Sequence, residues 1–184
     1  NLVGEIACVD VTIHWDHSWV VGTPFDETPD LLLFDFGVHW FDFFHTLFPG
    51  RRVGSVSASC VRTTTQRSKQ PMLAQAAVEF ESGRATLALF GDSAHLQRDT
   101  TLVAGSAGTL LSSGPDLQHQ ELQLATAAGV ARPSLTGDWF TTGFHGAMSE
   151  LLCAIEEDRA PHHSARDNLE SLALAFAVRD QVRS

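Results

Sequence analysis

A chain of 184 residues with 43% hydrophobic content can bury one sizeable core, and its length suits one domain better than two. The net charge of −10 repels phosphate backbones and anionic lipid, which argues against nucleic acid or a membrane surface as a partner. The longest apolar run, at 31–48, is interrupted by Asp35, His39, Asp42 and His45, so no membrane span is expected, and no signal peptide opens the chain. Cys8, Cys60 and Cys153 are odd in number and lack a CxxC spacing, and read as reduced core thiols of a cytoplasmic protein. The first residue is Asn1 rather than Met and the strand pattern begins almost at once, so a piece of a longer protein is expected.

In chain order, the opening GEIACVDVTIHW (4–15) alternates and is rich in β-branched residues, which predicts a strand ending near Trp15. A loop with Trp19, Gly22, Pro24 and Pro29 follows, and Pro29 stands near the start of a helix. That helix, LLLFDFGVHWFDFFHTLF (31–48), is the most informative segment. At about 100° per residue, Asp35, His39, Asp42 and Thr46 fall within a stripe about 60° wide, while Leu33, Phe36, Trp40, Phe41, Phe43, Phe44 and Leu47 cover the rest. A helix this apolar is expected to be mostly buried. A solvated stripe would carry Lys, Glu or Arg, whereas this one holds two short carboxylates and an imidazole spaced so that they can touch. It reads as a helix presenting an acid/base pair to a pocket.

After Pro49 and Gly50 the period changes to two, with strands predicted near 52–65, 72–81, 84–91, 98–104, 107–113 and 116–124. The bridge Glu81, Ser82, Gly83, Arg84 is a hairpin signal, and short connections of this kind require antiparallel pairing. The chain then closes in helices. Met148, Leu151, Leu152 and Ile155 repeat at helical spacing, with Pro161 just past the end. Ser164 and Asp167 resemble a capping box before Leu169, Leu172, Phe176 and Ala177. Strands followed by helices, without βαβ alternation, predict an α+β fold: a large, mostly antiparallel open-faced sheet with helices packed on one face.

The order of these features carries a resemblance. GEI near the start, D-x-G-x-H-x-x-D at Asp35, Gly37, His39 and Asp42, a long antiparallel stretch, GFHGAM at 143–148 and the Ser-Ala-Arg-Asp-Asn-Leu run at 164–169 follow one another. Together they resemble the C-terminal domain of the glucose-fructose oxidoreductase, inositol dehydrogenase and rhizopine-catabolism (Gfo/Idh/MocA) family over nearly the whole chain. The resemblance implies a two-domain oxidoreductase acting on sugars, cyclitols or related polyols. In it, an N-terminal Rossmann domain binds NAD or NADP, and a C-terminal α+β domain supplies substrate contacts and an oligomer interface. Two departures fit a chain that lacks the N-terminal domain: no GxGxxG follows a strand, and the family's Lys-Pro motif is missing, Lys69 being the only lysine. Members often carry glycines just before the motif, where this sequence has DLLLF (30–34), so a differently shaped site entrance is expected.

Residue chemistry agrees with that reading. Oxidising an alcohol by hydride transfer needs a group to take the hydroxyl proton, and an imidazole such as His39 exchanges a proton near neutral pH. Asp35, four residues earlier, is the candidate to orient His39 or hold a neighbouring substrate hydroxyl. Asp42 could contact substrate or brace the helix, and Gly37 on the far side permits close packing. Trp15 and Trp19 could stack on a sugar ring, and His145 could reach the pocket as a polar contact. His14, His17, His39, His45, His162 and His163 form no HExxH or Cys/His cluster, and no metal is expected. A homodimer or homotetramer through the open sheet face is expected, because strands such as 75–80 and 86–90 hold more apolar residues than one buried face needs. Two alternatives stay open: an NAD-dependent glycoside hydrolase on the same fold, and a non-catalytic binding or assembly module.

Overall fold

Apolar residues at alternate positions build an eight-stranded sheet in the computed structural model, which describes residues 2–183. The strands are β1 (Ile6–His14), β2 (Val53–Val61), β3 (Leu73–Phe80), β4 (Gly83–Phe90), β5 (Arg98–Gly105), β6 (Gly108–Asp116), β7 (His119–Thr126) and β8 (Gly129–Ala131). Their spatial order is β2-β3-β4-β1-β5-β6-β7-β8. Every neighbouring pair is antiparallel except β1 and β4, where Val11 faces Leu87 in a parallel register. The sequence predicts seven of these strands and misses only the short β8. At the predicted hairpin Gly83 adopts φ +136, and a Cβ there would stand 2.7 Å from the Phe48 ring, so only glycine fits the turn.

One face of the sheet is covered. Val9, Val11 and Ile13 of β1, Ala76 and Val78 of β3, and Ala85 and Leu87 of β4 point inward and are all but fully buried. Against them lie Phe41 and Phe44 of α1 (Val38–Leu47) and Leu174, Ala175 and Val178 of α3 (Asn168–Arg183). Each fully buried side chain of this size stabilises the fold by about 1.5–3 kcal/mol. The two helices are joined by Ser171 Oγ, which donates to Asp42 Oδ1 at 2.7 Å, and Arg183 pairs with Asp30 at the far end of α3. Ser164 and Asp167 form the predicted cap: the Ser164 N–H donates to Asp167 Oδ2 at 3.1 Å and the Asp167 N–H donates to Ser164 Oγ at 3.3 Å.

Four expectations change on contact with the structure. First, the segment predicted as one α-helix over 31–48 begins as a π-helix, Leu32–Gly37, and becomes regular only at Val38. A π turn aligns residues five apart, which loosens the four-residue register between Asp35 and His39. Gly37 sits at the junction, buried, where a Cβ would meet the Phe41 ring at 3.2 Å. Second, Leu31, Leu32 and Leu33 turn into the core at 1–2% exposure, so they do not shape a site entrance.

Third, helix α2 (Thr141–Glu156) lies outside the core. Its predicted apolar residues Met148, Leu152 and Ile155 are 58–68% exposed, and only Ala154 is buried. The stripe repeats at helical spacing, yet no element among the described residues covers it. Fourth, the thiols are free, but Cys153 is exposed on α2 and is no core residue. Burial pushes the Cys60 thiol up to about 11.

The apolar residues of 75–80 and 86–90 sort by the pleat. Ala76, Val78, Phe80, Leu87 and Leu89 point into the core, which leaves Gln75, Ala77, Glu79, Thr86, Ala88 and Phe90 on the open face. That face is therefore mostly small and polar. Among the described residues no helix is long and apolar enough to cross a membrane.

Candidate functional site

The polar stripe of the 31–48 segment survives the change of helix type. Asp35, His39, Asp42 and Thr46 are all on the exposed side of a segment whose other residues are largely buried. Asp35 and His39, with Phe36 and Trp40 between and beside them, form one wall of a cavity of about 490 Å³. The segment after β1 brings Trp15, Asp16, His17 and Trp19 to a second wall. The turn between β6 and β7 adds Asp116, Leu117 and Gln118, and the stretch before α2 adds Trp139 and Phe140. Gln97, just before β5, completes the lining. All four tryptophans of the chain face this one space.

Local packing fixes each wall. The backbone N–H groups of Trp15 and His17 donate to Phe90 and Gly91 at 2.9 and 2.8 Å, which extends the edge of β4 to the cavity rim. The His17 ring lies over Phe36 with centroids 3.9 Å apart, and Trp15 meets Phe36 edge-on at 6.0 Å. Burial pushes the His17 imidazole down to about 4, so it is neutral at physiological pH. Its Nδ1 accepts from Trp19 Nε1 at 3.4 Å, which leaves the proton on Nε2. The loop that carries Trp19 is anchored by buried Asp26, whose Oδ1 accepts from the Lys69 N–H at 2.7 Å and from Ser68 Oγ at 2.9 Å.

The opposite wall is held by similar means. Trp139 donates its backbone N–H to Gln118 Oε1 at 3.0 Å, and its ring meets His39 edge-on at 6.0 Å and lies across Trp40 at 6.2 Å. Desolvation alone would raise the Asp116 carboxyl. Hydrogen bonds from His119 Nδ1 at 2.9 Å and from the Gln118 and His119 N–H groups outweigh it and hold the group below the usual carboxylate range. Asp16 is likewise held low, by its hydrogen bonding to Ser18, whose N–H donates to Oδ1 at 2.9 Å. Trp15 Nε1 is buried and has no hydrogen-bond partner among the described residues, in a ring that lines the cavity.

Of the residues singled out by the sequence, the fold brings Trp15, Trp19, Asp35 and His39 to the same cavity. Asp42 lies outside it, one turn along, where its carboxylate accepts from Ser171 and braces α1 against α3. His145 is on the exposed surface of α2 and does not line the cavity. Asp35 and His39 share the wall without a hydrogen bond between them among the described contacts, as the loosened π register allows. Sequence reasoning missed Asp16, Gln97, Asp116, Gln118 and Trp139 as lining residues. Only Trp139 left a trace, as a lone tryptophan ahead of an amphipathic helix; the others are brought in by strand pairing.

The chain can be set beside known proteins on this geometry. Its fold matches the WlbA dehydrogenase from Bordetella pertussis, solved in complex with NADH and UDP-GlcNAcA, with a TM-score of 0.72 at 15% identity over 98% of this chain. It matches UDP-N-acetylglucosamine 3-dehydrogenase GnnA from Acidithiobacillus ferrooxidans with a TM-score of 0.74 at 16% identity over 98% of this chain. It matches aldose-aldose oxidoreductase from Caulobacter crescentus, complexed with glycerol, with a TM-score of 0.73 at 16% identity over 99% of this chain. The chain spans only 53–55% of the length of these three structures. No curated protein matches it in sequence. The family described as the GFO/IDH/MocA C-terminal domain matches residues 1–111, more than half of the chain, and the protein therefore belongs to that family.

Proposed function

We propose that these residues are the substrate-binding half of an NAD(P)-dependent oxidoreductase that moves a hydride between a nicotinamide and a sugar, cyclitol or related polyol. The observation that carries this reading is the placement of His39 and Asp35. They sit on the exposed side of a buried helix, on the wall of a cavity lined by aromatic rings. Aromatic faces stack on the apolar faces of a sugar ring, while Gln97, Gln118 and the carboxylates reach its hydroxyls.

In this reading His39 takes the hydroxyl proton as the alcohol becomes a carbonyl, and returns it in the reverse direction. The edge of Trp139 keeps the imidazole facing the cavity. Asp35 binds a neighbouring hydroxyl across the same wall rather than gripping the imidazole directly. The nicotinamide, when bound, supplies the hydride chemistry. The described residues hold no glycine-rich turn between a strand and a helix N-terminus, so the nucleotide is assigned to an N-terminal Rossmann domain outside these residues. Cytoplasmic location and assembly into a homodimer or homotetramer belong to the same proposal. The open face is mostly small and polar, so what supports assembly is the breadth of uncovered sheet and not the apolar surplus expected from the sequence.

The test is made on the full-length protein. His39→Asn is expected to lower the rate of the chemical step by roughly 10²- to 10⁴-fold with little change in melting temperature, the loss of a general acid/base. Asp35→Asn is expected to act more weakly and partly through substrate binding. Single-turnover kinetics on both variants check this. A His39→Asn enzyme that is destabilised but fully active per folded molecule would remove the reading.

A further inference from the structure

Trp19 reaches the cavity on a loop that is held from a distant part of the chain. It lies in the 3₁₀ turn Ser18–Val20, which Val20 roots in the core at 0% exposure, and Asp26 lies in the next turn, Pro24–Glu27. Between them Gly22 adopts φ +76 and donates its N–H to Asp26 Oδ2 at 3.3 Å. The Trp19 ring is 52% exposed and meets Phe25, the neighbour of Asp26, edge-on at 5.4 Å. Two half-exposed rings have little core contact to fix them, so their position depends on the backbone beneath. That backbone is gripped by residues 62–72, the connection between β2 and β3. Gln66, 6% exposed, shapes this connection: its Oε1 accepts from the Thr63 and Met72 N–H groups at 3.0 and 3.2 Å, and its Nε2 donates to the Ser68 and Gln70 carbonyls at 2.9 and 2.6 Å. The amide is thereby saturated, and the fold it imposes presents Ser68 and Lys69 to Asp26 Oδ1. Gln70 Nε2 adds a bond to the Asp26 carbonyl at 3.1 Å, and Lys69 pairs with Glu27 at the surface.

Asp26 is thus a buried carboxylate, 3% exposed, that takes donors from both segments at once, and none of Asp26, Ser68 and Lys69 lines the cavity. Resting on the reading of the cavity as a sugar or polyol site, we propose that Asp26 is a positioning residue, which with Ser68 and Lys69 holds Trp19 preset as a wall on which the ligand lies. A wall already in place spares the ligand the cost of ordering the loop, so the clamp acts on affinity. His39 and Asp35 stand on the separate 31–48 segment, so the chemical step is not its target.

Fluorine NMR on the full-length protein labelled with fluorotryptophan tests this, with the Trp19 line assigned by its loss in Trp19→Phe. In Asp26→Asn, whichever way the new amide turns, its N–H groups face the N–H of Gly22 or of Lys69, so the clamp opens on one side. The Trp19 line is expected to shift or broaden while the Trp40 and Trp139 lines stay. The binding probes are glucose, galactose, N-acetylglucosamine and myo-inositol, titrated in the presence of NAD or NADP. The Kd of those that bind is expected to rise by roughly three- to thirtyfold in Asp26→Asn. In a Trp19→Ala background the same change should move Kd by less than about twofold, because the two residues act by one route. Ser68→Ala removes one donor and leaves the carboxylate those of Lys69 and Gly22. It is expected to show the same pattern at smaller size, and it carries the test if Asp26→Asn does not fold. An unmoved Trp19 line in a folded variant overturns the inference and leaves the sugar-site reading standing. Equal weakening with and without Trp19 overturns it too, since the carboxylate would then act on the fold at large. If no probe binds the native protein, the sugar-site reading fails and this inference falls with it.

Discussion

On the β2-β3-β4-β1 side of the sheet the inner residues are sealed by the chain's own helices, with Val78 and Ala85 at 0% and Leu87 at 2% exposure. On the β6-β7-β8 side the inner residues Leu110, Leu122 and Leu124 are only partly covered, and Ala131 of β8, which pairs with Leu124, is exposed. Helix α2 belongs with this second region, since its apolar stripe faces away from the core. The cavity lies on the seam. One wall stands on the sealed half, through β1 and the π-to-α segment, and the other on the open half, through the β6–β7 turn and the stretch before α2. The catalytic candidates thus sit on the rigid side, and the cavity's other lining residues include those of the side that is less firmly packed.

The sharpest test of this difference is truncation in the sealed half. Phe44→Ala removes a side chain with no exposure from between α1 and the sheet and is expected to cost about 3–5 kcal/mol. Denaturant unfolding measures it, and a cost under about 1 kcal/mol would mean that the helix is not anchored as the structure shows.

The seam itself should respond to pH through Asp99, a residue of β5 at 1% exposure whose Oδ2 has no hydrogen-bond partner among the described residues. Burial, with a further push from Asp116, raises its carboxyl to about 6 from an ordinary 3.8. The unfolded chain releases this proton near 3.8 while the folded chain holds it. The stability tied to the neutral form is therefore full below that value and is lost as pH rises through about 6. The loss is on the order of 3 kcal/mol at most. Melting temperatures from pH 4 to 8 should fall across this window in the native protein, and Asp99→Asn should flatten the fall. A variant whose pH profile matches the native one would show that Asp99 does not hold its proton.

The smallest effect is expected on α2. Leu152→Ala and Ile155→Ala alter side chains that are 61% and 68% exposed, and within these residues each should change stability by less than about 0.5 kcal/mol. Losses of about 2 kcal/mol or more in the full-length protein would show that something outside residues 2–183 covers the stripe.

Much of this molecule was legible in its residues alone. Alternation located seven of the eight strands, and the Ser164 and Asp167 pair announced the cap of α3, because these signals act between residues close in sequence. The polar line through Asp35 and His39 stood out because short acidic and imidazole side chains are rare in so apolar a helix. What the tertiary structure alone decided depends on partners distant in the chain. The insertion of β1 between β4 and β5 brings Trp15 and His17 beside Gly91, and the β6–β7 turn carries Asp116 to the same space. The π turn at 32–37 leaves no mark in apolar periodicity, since Leu31, Leu32 and Leu33 are buried in either helix type. Asp42 shares its stripe with His39, yet Ser171, 129 residues later, claims its carboxylate. Spacing sets which side chains share a face, but only packing sets what that face meets.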